Sequence, residues 1–274
     1  MLWLLLLQVW ASCLWLGHSE VVNSFSTCSQ FFYRGIFPSS ALQTNSSALI
    51  CQRYMNQYFF ATLYNTQKRI PVYSAYIYQR GPGDRPAARW MIEPQLVNRT
   101  YPKQMETEGA LKNMYHISEI QISQSQAINK DYDYQTGWNR GHLNPSGHQN
   151  SNVSRTATFT LTNVVPQNSS LNKGAWKSYE QKTVVQRSQN CQATYIIVGA
   201  VPGNRTIANG RINIPSHIWS GACCKMNNTM SAWAAIAQND RNHVDNITLG
   251  DLEGRLSRLY NRGPVSLFHS DCPR

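Results

Sequence analysis

Three short stretches of this chain hold the residue types that phosphorus chemistry uses. Arg140-Gly141-His142 lies within Trp138-Asn139-Arg140-Gly141-His142-Leu143-Asn144-Pro145 and is expected on one short turn. Asn163 and Gln167 follow in Asn163-Val164-Val165-Pro166-Gln167, and then come Leu171, Asn172, Trp176 and Glu180. Arginine can hold a phosphate through two parallel hydrogen bonds, and histidine exchanges a proton near neutral pH. An amide oxygen together with a carboxylate can hold a hydrated hard cation such as magnesium. In this order the three stretches predict hydrolysis of a phosphodiester.

Taken singly, each residue has an ordinary explanation. His142 is one of seven histidines, and a lone histidine is more often a core or surface residue. His148 is a nearby competitor for the role of base. Asn172 could cap a helix N-terminus and Glu180 could be a solvated helical charge. On one continuous helix eight residues advance about 800°, leaving Asn172 and Glu180 roughly 80° apart and able to face one site. Arg140 is the first phosphate candidate. Arg85 and Arg89 are weaker ones, since Arg89 could equally stack on Trp90. Asn163 and Gln167 are expected to brace the loop by hydrogen bonds.

The elements that must position these groups read as α+β: a mixed, mainly antiparallel sheet flanked by helices. Cys51 to Tyr64 suggests a packed helix or a helix-to-strand segment. Ile70 to Tyr78 is β-branched and aromatic and ends at Gln79-Arg80-Gly81-Pro82-Gly83-Asp84, a strand and a turn. Arg89 to Ile92 predicts a shorter strand. Thr156 to Val165 alternates small polar and apolar residues as a half-buried strand does, and Tyr195 to Val201 reads as a buried strand. Leu171 to about Arg187 favours a helix. Ile212 to Trp219 and Ser231 to Ala237 suggest two more strands, the second having a helical alternative because of its alanines. Leu249 to Leu259 suggests a short amphipathic helix.

Residues 1–19 begin Met1-Leu2-Trp3-Leu4-Leu5-Leu6-Leu7, carry no charged side chain and place Gly17 and Ser19 as small residues before a cleavage point. They read as a secretory signal peptide, since the apolar run is shorter than the ~20 residues that cross a bilayer. Residues 20–274 then form a single domain, exported and extracellular, with no stable membrane insertion; oligomeric state is unknown. The net charge of +11 attracts polyanions, although the basic residues are scattered and solubility alone is the competing explanation. Cys28, Cys51, Cys191, Cys223, Cys224 and Cys272 remain after the leader, an even set that predicts three disulfides. A Cys28 to Cys51 bridge is favoured, with Cys191 and Cys272 each taking one of the adjacent pair. Zinc is disfavoured because no Cys-x-x-Cys or His-x-x-x-His spacing occurs. Sequons at Asn45, Asn98, Asn152, Asn168, Asn204, Asn227 and Asn246 predict glycosylated surface loops. A glycan on Asn168 would crowd the proposed site.

The ordered motifs Arg-Gly-His-Leu-x-Pro, Thr-Asn-x-x-Pro-Gln and Leu-Asn-x-x-x-Trp-x-x-x-Glu resemble those of the DNA/RNA non-specific endonucleases with a ββα-metal site. Arg89 to Leu96, Ile70 to Tyr76, Ile214 to Ser220 and Cys223-Cys224 are similar to the vertebrate endonuclease domain-containing 1 group, so the resemblance runs from about Cys28 to Cys272. It implies that His142 is the general base, Asn172 the direct ligand of magnesium or another divalent cation such as manganese, and Glu180 the group orienting the metal's water. Arg140 would stabilise the phosphate, and the substrate would be DNA and possibly RNA, cut with little sequence preference. One position departs from the family pattern: the residue before Arg140 is usually aspartate and here is Asn139. Loss of that charge could weaken the orientation of Arg140 or the basicity of His142. A weakened nuclease fold that only binds extracellular nucleic acid or another polyanion is therefore the alternative, separable by magnesium-dependent cleavage. A glycosylated matrix-adhesion protein is a third class, separable by retained heparin binding.

Overall fold

The computed structural model describes residues 20–133 and 136–274, so the leader assigned to residues 1–19 lies outside the described residues. Eight antiparallel strands make the main sheet: β1 (Val21–Val22), β2 (Ser47–Tyr54), β3 (Gln57–Asn65), β4 (Ile70–Ile77), β7 (Ala193–Val201), β10 (His217–Lys225), β11 (Met230–Gln238) and β12 (Asp245–Ile247), in that order. Two small antiparallel ribbons lie outside it, β5 (Trp138–His142) with β6 (Val164–Asn168) and β8 (Arg205–Ile207) with β9 (Ile212–Ile214). Helices α1 (Pro94–Val97), α2 (Glu108–Tyr115), α3 (Glu119–Ser125), α4 (Asn152–Ala157), α5 (Ser169–Lys173), α6 (Ala175–Ser178) and α7 (Val185–Ser188) precede the longest, α8 (Leu249–Tyr260). The class is α+β, as expected.

The sheet is covered on both faces, which explains the near-continuous apolar run of its central strand. Along β7 the side chains alternate: Ile196, Val198 and Ala200 join one core with Phe60, Tyr76 and Trp176, while Ile197 and Val201 join the other with Leu63, Tyr73 and Trp219. The second core is closed by the N-terminal residues Phe25, Phe32 and Leu42 and by Leu249, Leu252 and Leu256 of α8. Thr248 caps α8 by accepting the Asp251 N–H. The same alternation resolves the adjacent cysteines. Cys224 faces the first core and bonds Cys191, Cys223 faces the second and bonds Cys272, and Cys28 bonds Cys51.

Four local expectations need correction. Cys51 to Tyr64 is a β-hairpin and not a helix, because Met55 and Asn56 both take positive φ (46° and 61°) and close a two-residue turn that lacks the usual glycine signal. Arg89 to Ile92 is not a strand; only isolated bridges form, Met91 to Thr160 and Ile92 to Glu106. Thr156 to Val165 ends α4, passes through a tight turn at Leu161–Asn163 and enters β6 only at Val164. Its alternating hydroxyls, Thr158, Thr160 and Thr162, are all buried, so the pattern marks an internal hydrogen-bond network and not a solvent face. The helix expected from Leu171 is broken at Gly174, where the Asn242 side chain occupies the space of a Cβ and accepts the Ala175 N–H at 2.7 Å. A wide π turn follows at Tyr179–Val184. Ser231 to Ala237, by contrast, is the strand and not the helix, its small side chains lying under cover on both faces.

A fully buried polar chain ties the N-terminal edge of the sheet to the β5–β6 ribbon. Glu93 Oε1 accepts from Thr160 (3.3 Å) and Thr162 (3.1 Å), and Gln52 donates to Thr162 (2.9 Å) and Thr62 (3.1 Å). Thr62 contacts the Ser74 hydroxyl at 3.1 Å, and Ser74 donates to Asn163 at 2.9 Å. At the far end Glu20 and Glu93, both fully buried, each keep one carboxylate oxygen that no donor reaches. One proton shared between the two carboxyls satisfies both. Burial, then the neighbouring Glu93, drives Glu20 well above the usual carboxylate range, while the Arg53 backbone and guanidinium oppose it; burial also raises Glu93.

Because these folded-state values are raised, the pair's contribution to stability is whole below the ordinary glutamate range and is lost as pH rises through the elevated values. Glu93→Gln keeps the acceptor for the threonines and supplies a donor to Glu20. Thermal unfolding followed from the ordinary glutamate range upward should show wild type losing more Tm with rising pH than Glu93→Gln. Parallel curves would contradict the shared proton.

Candidate active site

β5, β6 and α5 form a strand-strand-helix unit. In the ribbon, Asn139 pairs Gln167, Arg140 pairs Pro166, Gly141 pairs Val165 and His142 pairs Val164. Arg140 and His142 thus sit on a strand and not on the expected turn. Gly141 is required by close approach: a Cβ there would overlap the Gln167 side chain. The loop after His142 is fixed by Asn163, which accepts the Asn144 N–H (3.0 Å) and donates to the carbonyls of Asn144 (2.9 Å) and Thr158 (3.0 Å) while accepting from Ser74. Asn163 is therefore the brace that its motif suggested.

A cleft of about 920 Å³ brings together Arg140, His142, Asn172 and Glu180, with Asn139, His148, Trp90 and Trp138 also on its wall. Although the broken helix makes the simple angular argument inapplicable, Asn172 and Glu180 do face one cavity. His142 is boxed by the rings of Trp90 (5.4 Å between centroids) and Phe159 (5.1 Å), and its Nε2 has no hydrogen-bond partner among the described residues. Burial and then the charge of Arg85 push the imidazole down to about 3, against an opposing hydrogen bond with the Arg140 backbone. It is neutral at physiological pH. Glu180 moves the other way, to about 8, because burial disfavours its charge; the Trp176 side chain and Arg85 only partly oppose this.

His148 is the histidine with the structural explanation. Its Nδ1 meets the Tyr76 hydroxyl at 2.9 Å and its Nε2 meets the Glu180 carbonyl at 3.1 Å, leaving neither ring nitrogen free. Arg140 lies over the rings of Trp90 and Tyr132 (5.3 Å to each) and donates to the Asn129 carbonyl (3.0 Å) and to Asp133 (3.2 Å). Its Nε is buried without a partner. Asn139 does not orient it; the Asn139 amide oxygen accepts from Ser169 at 3.1 Å. Trp90 is covered by Arg140 and not by Arg89, and Arg89 is absent from the cleft wall. Arg85 does line it, over Phe159 at 5.0 Å.

Arg80, Lys173, Lys177 and Lys182 also line this wall, although no motif singled them out. Lys173 and Lys177 belong to α5 and α6, on either side of the break at Gly174, so helical spacing does not pair them. Arg80 and Arg85 could not be read from spacing either, because Arg155 sets their loop by donating to the carbonyls of Gly81, Asp84 and Gln149. The result is a cationic cleft that holds a neutral imidazole and an amide–carboxyl pair. The donor set suits magnesium, which needs few protein ligands and keeps several waters. The orphaned Arg140 Nε–H is a free donor that suits a phosphate oxygen, whereas the orphaned His142 Nε2 is a free acceptor that suits a water proton.

The profile of the DNA/RNA non-specific endonuclease family matches residues 38–255. Over 264 residues the chain is 31% identical to the human Endonuclease domain-containing 1 protein, covering 92% of this chain and 49% of that protein. Its mouse counterpart is 30% identical over 255 residues, 90% of this chain and 48% of the relative. The chain thus spans about half the length of these relatives. The mouse mitochondrial nuclease EXOG is 30% identical over 108 residues, 34% of this chain and 28% of that protein. The fold is similar to a chain in the crystal structure of the EndoG/EndoGI complex, with a TM-score of 0.53 at 14% identity over 85% of this chain and 88% of that one. On the family match and the endonuclease domain-containing 1 similarity, the chain belongs to the DNA/RNA non-specific endonuclease family.

Proposed function

We propose that this protein is a secreted, metal-dependent endonuclease that hydrolyses phosphodiester bonds of DNA, and of RNA, with little sequence preference. The carrying observation is the unpartnered, neutral His142 Nε2 in the same cationic cleft as Asn172 and Glu180. His142 takes a proton from the water whose oxygen bonds to phosphorus as the bridging ester bond breaks. Arg140 Nε, with the charge of Arg85, faces the negative charge that grows on the phosphate oxygens. Asn172, aided by Glu180, would hold a divalent cation, which when bound supplies charge neutralisation at the scissile phosphate. The remaining wall cations contact phosphates and carry no base information, which supports low sequence preference. Three disulfides support passage through an oxidising compartment, in line with the leader reading of residues 1–19. Among the described residues no helix is long and apolar enough to cross a membrane.

The alternative of a binding-only protein rests on Asn139. Arg140 is oriented by Asn129 and Asp133 instead, so the missing carboxylate does not loosen it. Asn139→Asp should change kcat by less than tenfold, the size of an interaction worth ~1 kcal/mol or less. A wild type inactive with magnesium and rescued by Asp would establish the binding-only alternative.

His142→Ala should lower kcat about 100- to 10,000-fold while leaving substrate binding in chelator unchanged. Cleavage within a few-fold of wild type would remove His142 from the role of base. Asn172→Ala should shift the magnesium dependence of the rate further than Glu180→Gln does, and unaltered magnesium titrations in both would remove the proposed cation site.

The acidic limb of kcat/KM tests the electrostatics. His142 is neutral down to about 3, so loss of rate on acidification is assigned to Glu180, whose proton and the cation compete. The sign follows: the limb lies near or below about 8 at low magnesium and moves to lower pH as magnesium is raised. A limb fixed in the ordinary histidine range at every magnesium concentration would contradict both assignments.

A further inference from the structure

Outside the cleft, a second cavity of about 410 Å³ opens between the end of β11, the loop that follows it and one side of α8. Its polar wall holds His217, Arg241, His243, Asp245, Arg255 and Arg258. Asp245 is the acid on this wall, and it is already taken by His243 at 3.1 Å and Arg255 at 3.3 Å. Among the described residues Arg241 and Arg258 have no ion pair. Arg255 and Arg258 are three apart on α8, hence on one face, while Leu252 and Leu256 bury the other. Two unmatched guanidinium groups in a concave site are suited to bidentate capture of a phosphate.

The cavity is joined to the cleft through the side chain of Asn242. Arg241 and His243 flank Asn242, the residue whose side chain fills the Cβ space of Gly174 and accepts the Ala175 N–H. Gly174 and Ala175 directly follow Asn172 and Lys173 on the cleft wall. Cations therefore continue from Lys173, across the Asn242 contact, to Arg241 and the α8 arginines. Fixing this loop against the cleft helix costs no ordering when a long anion binds.

We propose that the Arg241–Arg258 pocket is a second phosphate-binding site that grips a polynucleotide strand beyond the bond being cut. The inference rests on the nuclease reading above and extends it to the length of the substrate. A strand long enough to reach the pocket gains affinity; a fragment that fills only the cleft does not.

The test is equilibrium binding of single-stranded DNA oligonucleotides of two lengths, in chelator, across a salt series, with wild type and the Arg241→Gln/Arg258→Gln double variant. Both positions are exposed, and an unchanged Tm verifies that the variant is folded. The double variant should bind the long strand several-fold more weakly and lower the slope of log affinity against log salt by about 1.4, as expected for two lost single-strand contacts. Binding of the short fragment should be unchanged. An unaltered slope on the long strand, or equal weakening of both lengths, would overturn the pocket. If a heparin oligosaccharide loses affinity in the variant and the long strand does not, the pocket binds sulfated sugar and the proposal also fails. Cleavage in magnesium separates the two readings: wild type that binds with the expected length dependence but never cuts sinks the hydrolase and keeps the pocket. Wild type that binds neither strand overturns both.

Discussion

The side-chain amide of Asn163 holds four hydrogen bonds in a site with no access to water, and the geometry of the cleft depends on them. Two are accepted, from Ser74 and the Asn144 N–H, and two are donated, to Asn144 and Thr158. They fasten the loop that leaves His142 to the turn that enters β6 and to the central sheet at β4. A buried polar group left without its partner costs roughly 1–3 kcal/mol, so the loop has few other places to go. Through Ser74, Thr62, Gln52 and Thr162 the constraint reaches Glu93 and the N-terminal edge of the sheet. The fold places a ladder of hydroxyls and amides where a purely apolar core would give the loop no preferred register.

Around that frame the cleft separates its charges. Desolvation holds His142 and Glu180 in their neutral forms, and the surrounding arginines and lysines supply an excess of positive potential. An imidazole that stays neutral can accept a proton, yet a value near 3 makes it a weak base in the free protein. An anionic phosphate beside it raises its affinity for a proton, and a cation beside Glu180 lowers that residue's affinity. Under the proposed function the two groups would thus be brought toward their working states by what binds. His148 shows the contrast, since both its nitrogens are spent on Tyr76 and the Glu180 carbonyl and it holds the π turn in place.

The sheet makes this possible by being covered twice. One core backs the cleft, the other is sealed by α8 and the N-terminal turns, and the adjacent cysteines of β10 send one bridge into each. Because the Asn242 loop follows the last long strand and packs on the cleft helix, the far end of the sheet also shapes the near wall of the cleft.

By itself the sequence determined the α+β class, the strands read as Ile70 to Tyr78 and Tyr195 to Val201, the C-terminal helix α8 and the three ordered motifs of the cleft. Those signals are local: β-branched runs, helical spacing, and side chains whose chemistry is uncommon elsewhere. The cysteine pairing was legible as a preference, and the alternation of faces along β10 gave its reason. Tertiary structure alone decided that Cys51 to Tyr64 turns at Met55-Asn56, because left-handed backbone there is held by strand pairing and not by glycine. It decided that the threonines before β6 point inward, since a hydroxyl's partners lie far away in sequence. It decided that Gly174 breaks the helix, because Asn242 occupies the space. It also brought Arg80, Arg85 and the cleft lysines to one wall and left Arg89 off it. Charge is visible residue by residue, but a field is the sum over neighbours, and only the fold says which residues are neighbours.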